Sequence, residues 1–159
     1  MYDLIVYCPN KKKRFRRPPK VGFYVEKWIG YWDIWRFIMS QKGHGYNLLS
    51  EKGEIGGSQL CETVSIETMI DLPDVSDEER DCMTPYRVYP QYIEDFKKII
   101  NYMLDCSPSK LVYVLARYQS CDVEVVLGTY SLDTFISLME KGKIYSNICY
   151  IISRHPNVL

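Results

Sequence analysis

Histidine is scarce, with only His44 and His155 in 159 residues. Neither stands three or four positions from another good ligand, so a His/Cys zinc site would need unrelated, distant partners. The chain has no G-x-S-x-G, no Walker loop and no G-x-G-x-x-G, which removes the usual nucleophile-elbow and nucleotide signatures. Ser107-Pro-Ser-Lys110 formally matches S-x-x-K, but S-D-N and K-T-G are missing, and a Ser-Pro turn explains it better. The expectation is therefore a protein that is not an enzyme and needs no metal or cofactor. Long hydrophobic runs are lacking as well, none approaching the roughly 18 residues of a spanning helix. Asp3 precedes the first apolar stretch and the positive charges follow it, the reverse of a secretory signal. The six cysteines, at 8, 61, 82, 106, 121 and 149, include no C-x-x-C pair. They read as reduced and mostly buried, in a cytoplasmic protein without membrane association.

Net charge is also absent, with 20 Lys/Arg against 20 Asp/Glu. That zero averages two unlike halves. Residues 1–60 hold eleven basic and five acidic side chains, and residues 61–159 hold nine basic and fifteen acidic ones. An apolar fraction of 47% and a charged fraction of 25% fit one globular domain over 1–159, since two domains would each lack core.

The apolar pattern gives the elements in order. Residues 2–8 alternate like a strand, ended by Pro9-Asn10, and 21–25 form a short one. Trp28, Trp32, Trp35 and Met39 recur at helical spacing, giving an amphipathic helix over roughly 27–41 whose aromatic stripe belongs to the core. An exposed aromatic anchor for a partner is the other reading of that stripe. Five glycines in 43–60 read as loop with at most a short strand. Ser76 and Glu79 form a capping box for a short surface helix over 77–82. Pro90 opens the strongest helix, Tyr89–Asp105, with Ile93, Phe96, Ile100, Met103 and Leu104 as its stripe. Residues 111–118 and 123–130 read as an antiparallel hairpin. Ser131 caps a helix to Lys141 that Gly142 ends. Ile144–Ile152 closes the sheet, and 153–159 frays. The order predicts an α+β fold: a mainly antiparallel sheet with helices packed on one face.

Two charged segments carry the binding expectations. Lys11-Lys-Lys-Arg-Phe-Arg-Arg-Pro-Pro-Lys20 holds seven basic residues in ten and reads as an exposed basic arm. Lys11, Lys12, Lys13, Arg14, Arg16 and Arg17 could contact phosphates while Phe15 stacks on a base. The arm could equally be a solubilising loop, or could fold against the chain's own acids. The counterpart is 61–81, where Glu62, Glu67, Asp71, Asp74, Asp77, Glu78, Glu79 and Asp81 are offset only by Arg80. A hard-cation site lacks its D-x-D-x-D-G loop, which leaves a solvated face or a docking surface for a basic protein. Asp74, Asp77, Glu78, Glu79 and Asp81 are the candidate partner contacts.

Leu111-Val-Tyr-Val-Leu-Ala-Arg117, Glu124-Val-Val-Leu-Gly-Thr-Tyr-Ser131, Phe135 to Lys141-Gly-Lys-Ile144 and Ser146-Asn-Ile-Cys-Tyr-Ile-Ile152 together resemble the small immunity proteins of bacterial polymorphic-toxin systems. The likeness covers about 40 residues, mostly structural ones, and carries over no binding residue. It implies a bacterial cytoplasmic protein that binds one cognate toxin domain and blocks it. Many such toxins are nucleases with basic substrate surfaces, against which an acidic inhibitor face can mimic phosphate. A small nucleic-acid-associated protein working through 11–20 is the alternative.

Overall fold

Strand β1, Tyr2–Pro9, sets the two faces of the sheet by its alternation. Leu4, Val6 and Cys8 point into the main core, while Ile5 and Tyr7 join a second buried cluster on the opposite face. The computed structural model describes residues 2–27, 42–53, 58–64, 82–118 and 125–156. The expected 27–41 helix, apart from Lys27, and the expected 77–82 helix, apart from Cys82, lie outside them. Around β1 run β2 (Tyr24–Lys27), β3 (Gly43–Leu49), β6 (Leu111–Tyr118), β7 (Val125–Tyr130) and β8 (Ile148–Ser153). Their order is β2-β3-β1-β6-β8-β7, antiparallel throughout except for the parallel pair β7 and β8. A second, two-stranded sheet joins β4 (Cys61–Thr63) to β5 (Tyr86–Val88).

Helix α1, Ile93–Cys106, follows a 3-10 turn at Pro90–Tyr92. Its buried stripe is Phe96, Ile99, Ile100, Met103 and Leu104, which lies against β1 and β6. Helix α2, Leu132–Glu140, starts where the Ser131 hydroxyl accepts the Thr134 N–H at 3.1 Å, satisfying one orphan donor. It ends at Gly142, whose φ of 71° is the left-handed stop. Phe135 ties α2 to α1 and β8, 6.5 Å from Phe96 and 5.6 Å from Tyr150. The described helices share one face of a mostly antiparallel sheet, as an α+β fold requires.

Several local expectations are corrected. Gly43 and Gly45 belong to β3, not to a loop. A Cβ on Gly43 would overlap the Cys8 carbonyl oxygen, and one on Gly45 would overlap the Val6 carbonyl oxygen, so the glycines serve close approach of two strands. Strands β6 and β7 form no hairpin, because β8 lies between them. An intervening helix makes β7-α2-β8 a crossover, which sets these strands parallel. Strand β8 is apolar on both faces and takes the inner place, leaving half-buried β7 at the edge. The closing strand starts at Ile148 rather than 144. Before it, Asn147 turns with φ 60° and donates its N–H to the Ala116 carbonyl. The tail is tied down as far as Pro156: the Arg154 guanidinium bonds Asp105 and the Asn101 carbonyl, and Thr129 donates to the Pro156 carbonyl at 2.8 Å. Cys8, Cys61, Cys106 and Cys149 are reduced thiols, but Cys82 is disulfide-bonded, which overturns the expectation of wholly reduced cysteines. Its partner lies outside the described residues.

Candidate functional site

The basic arm is where the structure places unusual chemistry. It leaves β1 through Asn10, whose φ is 62° and whose N–H bonds the Lys42 carbonyl at 2.6 Å. It then lies along α1, from that helix's last turn back to its first. The Arg17 N–H donates to the Tyr102 hydroxyl at 3.3 Å, and the Gly22 N–H donates to Asp95 Oδ2 at 2.7 Å. Between these two tethers Pro18-Pro19 stiffens the chain. Phe15 is the anchor, its ring 4.7 Å from Tyr46 and 5.9 Å from Tyr102. Lys11 Nζ sits 5.0 Å from the Phe15 centroid. The ring that the sequence offered to a base thus holds the arm to the core instead.

The arm's charges stay in solvent. Lys12, Lys13, Arg14, Arg16, Arg17 and Lys20 are exposed, and Lys11 is half-buried. Lys11, Lys13, Arg14, Arg16 and Arg17 surround an open basin of about 520 Å³ floored by Tyr102 and Cys106. Among the described residues no carboxylate lines it. A neighbouring groove of about 550 Å³ shares Arg17 and Tyr102 but mixes Lys97 and Lys98 with Glu94 and Asp105. On the arm's other side Arg14 and Phe15 meet Lys27, His44 and Tyr46 around a smaller cavity of about 130 Å³.

Nearby acids are already engaged. Glu94 pairs with Lys97 at 3.5 Å, Asp95 with Lys98 at 3.4 Å, and Asp105 with Arg154. Further off, Asp3 pairs with Arg117 at 3.7 Å, and Glu62, from the acidic stretch, pairs with Arg87 across β4 and β5. None of these ion pairs among the described residues involves an arm cation. The carbonyl end of α1, reaching the basin at Cys106, supplies a compensating partial negative charge.

Burial raises the phenol pKa of Tyr102, with the Arg17 N–H pulling it the other way, and burial also raises that of Tyr46. Both phenols stay neutral, so neither offsets the cations. Burial pushes the Cys8 thiol up to about 12. The hydrogen bond from Arg154 holds the Asp105 carboxyl below its ordinary value. Ser107 and Ser109 share a contact of 3.2 Å, and Lys110 Nζ reaches the Asp105 carbonyl at 3.4 Å, so the S-x-x-K match is a turn.

The structure therefore brings together Lys11, Lys13, Arg14, Arg16 and Arg17 with Tyr102 and Cys106, while Lys12 stays exposed on the arm outside the basin lining. Tyr102 and Cys106 escaped the sequence reading because they meet the arm across some 85 residues. The one available signal was Phe15, a single apolar ring inside a charged run. Asp74, Asp77, Glu78, Glu79 and Asp81 lie outside the described residues. Among the described residues, no helix is long and apolar enough to cross a membrane, and no three His, Cys, Asp or Glu side chains gather as a metal site. No family model, curated protein or solved structure matches the chain.

Proposed function

We propose that the chain is a non-enzymatic immunity protein, which binds a cognate bacterial toxin domain in the cytoplasm and neutralises it by surface contact. The observation that carries this reading is a strongly charged, unpaired surface held on a rigid support. The arm's cations are fixed by Phe15, Arg17 and Gly22 rather than left on a loose tail. A pre-ordered charged surface suits tight, fast association, because little ordering entropy is lost and complementary charge speeds encounter. The likeness of residues 111–152 to immunity proteins points the same way. Inhibitors of this kind bury on the order of 1,600 Å² in total, within reach of a chain whose accessible surface is 9159 Å² among the described residues.

Co-expression with the toxin encoded immediately upstream tests the reading. Growth rescue and a co-purifying complex are expected; continued killing with both proteins present refutes it. Asp74, Asp77, Glu78, Glu79 and Asp81 remain proposed contacts for a basic toxin face. Reversing Asp77, Glu78 and Glu79 to Lys slows association if they take part, and unchanged kinetics removes them.

The unpaired cations also favour a second reading, a small nucleic-acid-associated protein using 11–20. It predicts retention on nucleic acid that falls steeply with salt. The packing of Phe15 on Tyr46 and Tyr102 counts against it, since the arm's own ring is then held to the core instead of being offered to a base.

A further inference from the structure

We infer that the basin along α1 is a docking site for an acidic segment of a partner protein, so that the contact surface includes the arm. The inference rests on the protein-binding reading and extends it to a face that the acidic stretch does not supply. Five cations converge on one basin of about 520 Å³ with no carboxylate among the described residues of its lining. Their mutual repulsion is only partly offset by the end of α1, and nearby Glu94, Asp95 and Asp105 are committed to Lys97, Lys98 and Arg154. Among the described residues an incoming anion therefore has no internal competitor to displace, which is the usual obstacle to binding at a charged surface.

Two observations favour a short run of carboxylates over a nucleic acid. The purely positive zone is short, because the adjoining groove mixes Glu94 and Asp105 with Lys97 and Lys98, so a long phosphate backbone running on past Arg17 would meet no continuous track of cations. The rings beside the cations are packed against one another, Phe15 on Tyr46 and Tyr102. Arg14, Arg16 and Arg17 line the basin, and guanidinium forks pair with carboxylates in bidentate fashion, as they also do with phosphates.

The test uses a fluorescent twelve-residue polyglutamate peptide as probe, with a single-stranded DNA twelve-mer and an RNA twelve-mer as competitors. Wild-type chain is expected to bind the peptide more tightly than either oligonucleotide, with affinity that weakens as salt is added. The double variant Arg14→Glu/Arg16→Glu should lose at least about tenfold in affinity. Lys141→Glu/Lys143→Glu, on exposed residues that line neither the basin nor the flanking grooves, should bind like wild type. Equal urea midpoints and matching circular dichroism would show that the variants fold. Peptide-induced amide shifts should centre on residues 11–17 and Tyr102. No peptide binding, equal loss in both double variants, or tighter binding of either oligonucleotide overturns the proposal. The peptide needs no toxin, so its failure removes the basin and leaves the immunity reading standing. Failed growth rescue with intact peptide binding does the reverse.

Discussion

Phe15→Ala separates an anchored arm from a loose one. The side chain is half-buried and touches two rings, at centroid distances of 4.7 Å to Tyr46 and 5.9 Å to Tyr102. Truncating a fully buried Phe costs about 3–5 kcal/mol, so a half-buried one costs about 2 kcal/mol. Lys11 loses its ring contact too, worth about 0.5 kcal/mol at an exposed site. If the loss of about 2.5 kcal/mol falls on the arm alone, its open population rises about 60-fold, since each 1.4 kcal/mol is tenfold. Trypsin cleavage after Lys12, Lys13, Arg14 and Arg16 should accelerate by up to that factor. Exchange of the Arg17 amide, which is bonded to Tyr102, should accelerate with it. The Gly22 amide is tethered separately to Asp95 and should change far less. Phe15→Leu should fall between the two. Unchanged cleavage would refute the anchoring role, and equal acceleration at Gly22 would show general destabilisation instead of arm release.

Three further predictions test the scaffold. Ser131→Ala removes the hydroxyl that caps α2 and should lower stability by about 1 kcal/mol in urea titration; no change would mean that the cap is replaced by solvent. Gly45→Ala drives a methyl into the Val6 carbonyl and should cost about 3 kcal/mol, read as a lower urea midpoint; a wild-type midpoint would contradict the tight β1–β3 approach. Asp105 is held below its ordinary 3.8 by Arg154, so its contribution is present above that value and lost as pH falls through the lower, folded one. The stability gap between wild type and Asp105→Asn should therefore close in acid below about pH 3.8, whereas a gap that persists there would remove the Arg154 contact from the acid response.

Helix α1 was legible because its stripe from Ile93 to Leu104 repeats at one period and Pro90 marks its start. The same holds for α2, where Ser131 and Gly142 punctuate the ends. The glycines of β3 misled because glycine signals a turn and a close strand approach equally well, and only the neighbour's backbone decides between them. Strand order was illegible for a related reason. Residues 111–118 and 125–130 alternate like hairpin partners, and nothing local says that 148–153 is inserted between them. At the candidate site the seven basic residues of the arm were visible as composition. The gathering of five of them around one basin was not, because Tyr46, Tyr102 and Asp95 reach the arm from distant positions.

Stoichiometric inhibition tests the central claim most directly. Purified chain is titrated into a fixed amount of the upstream-encoded toxin while the toxin's activity is followed. Neutralisation by surface contact predicts a linear loss of activity that ends at molar equivalence, with the complex isolable afterwards. Full activity in molar excess of the chain would contradict the claim. So would complete loss at a small fraction of equivalence, since that would reveal a catalyst acting on the toxin.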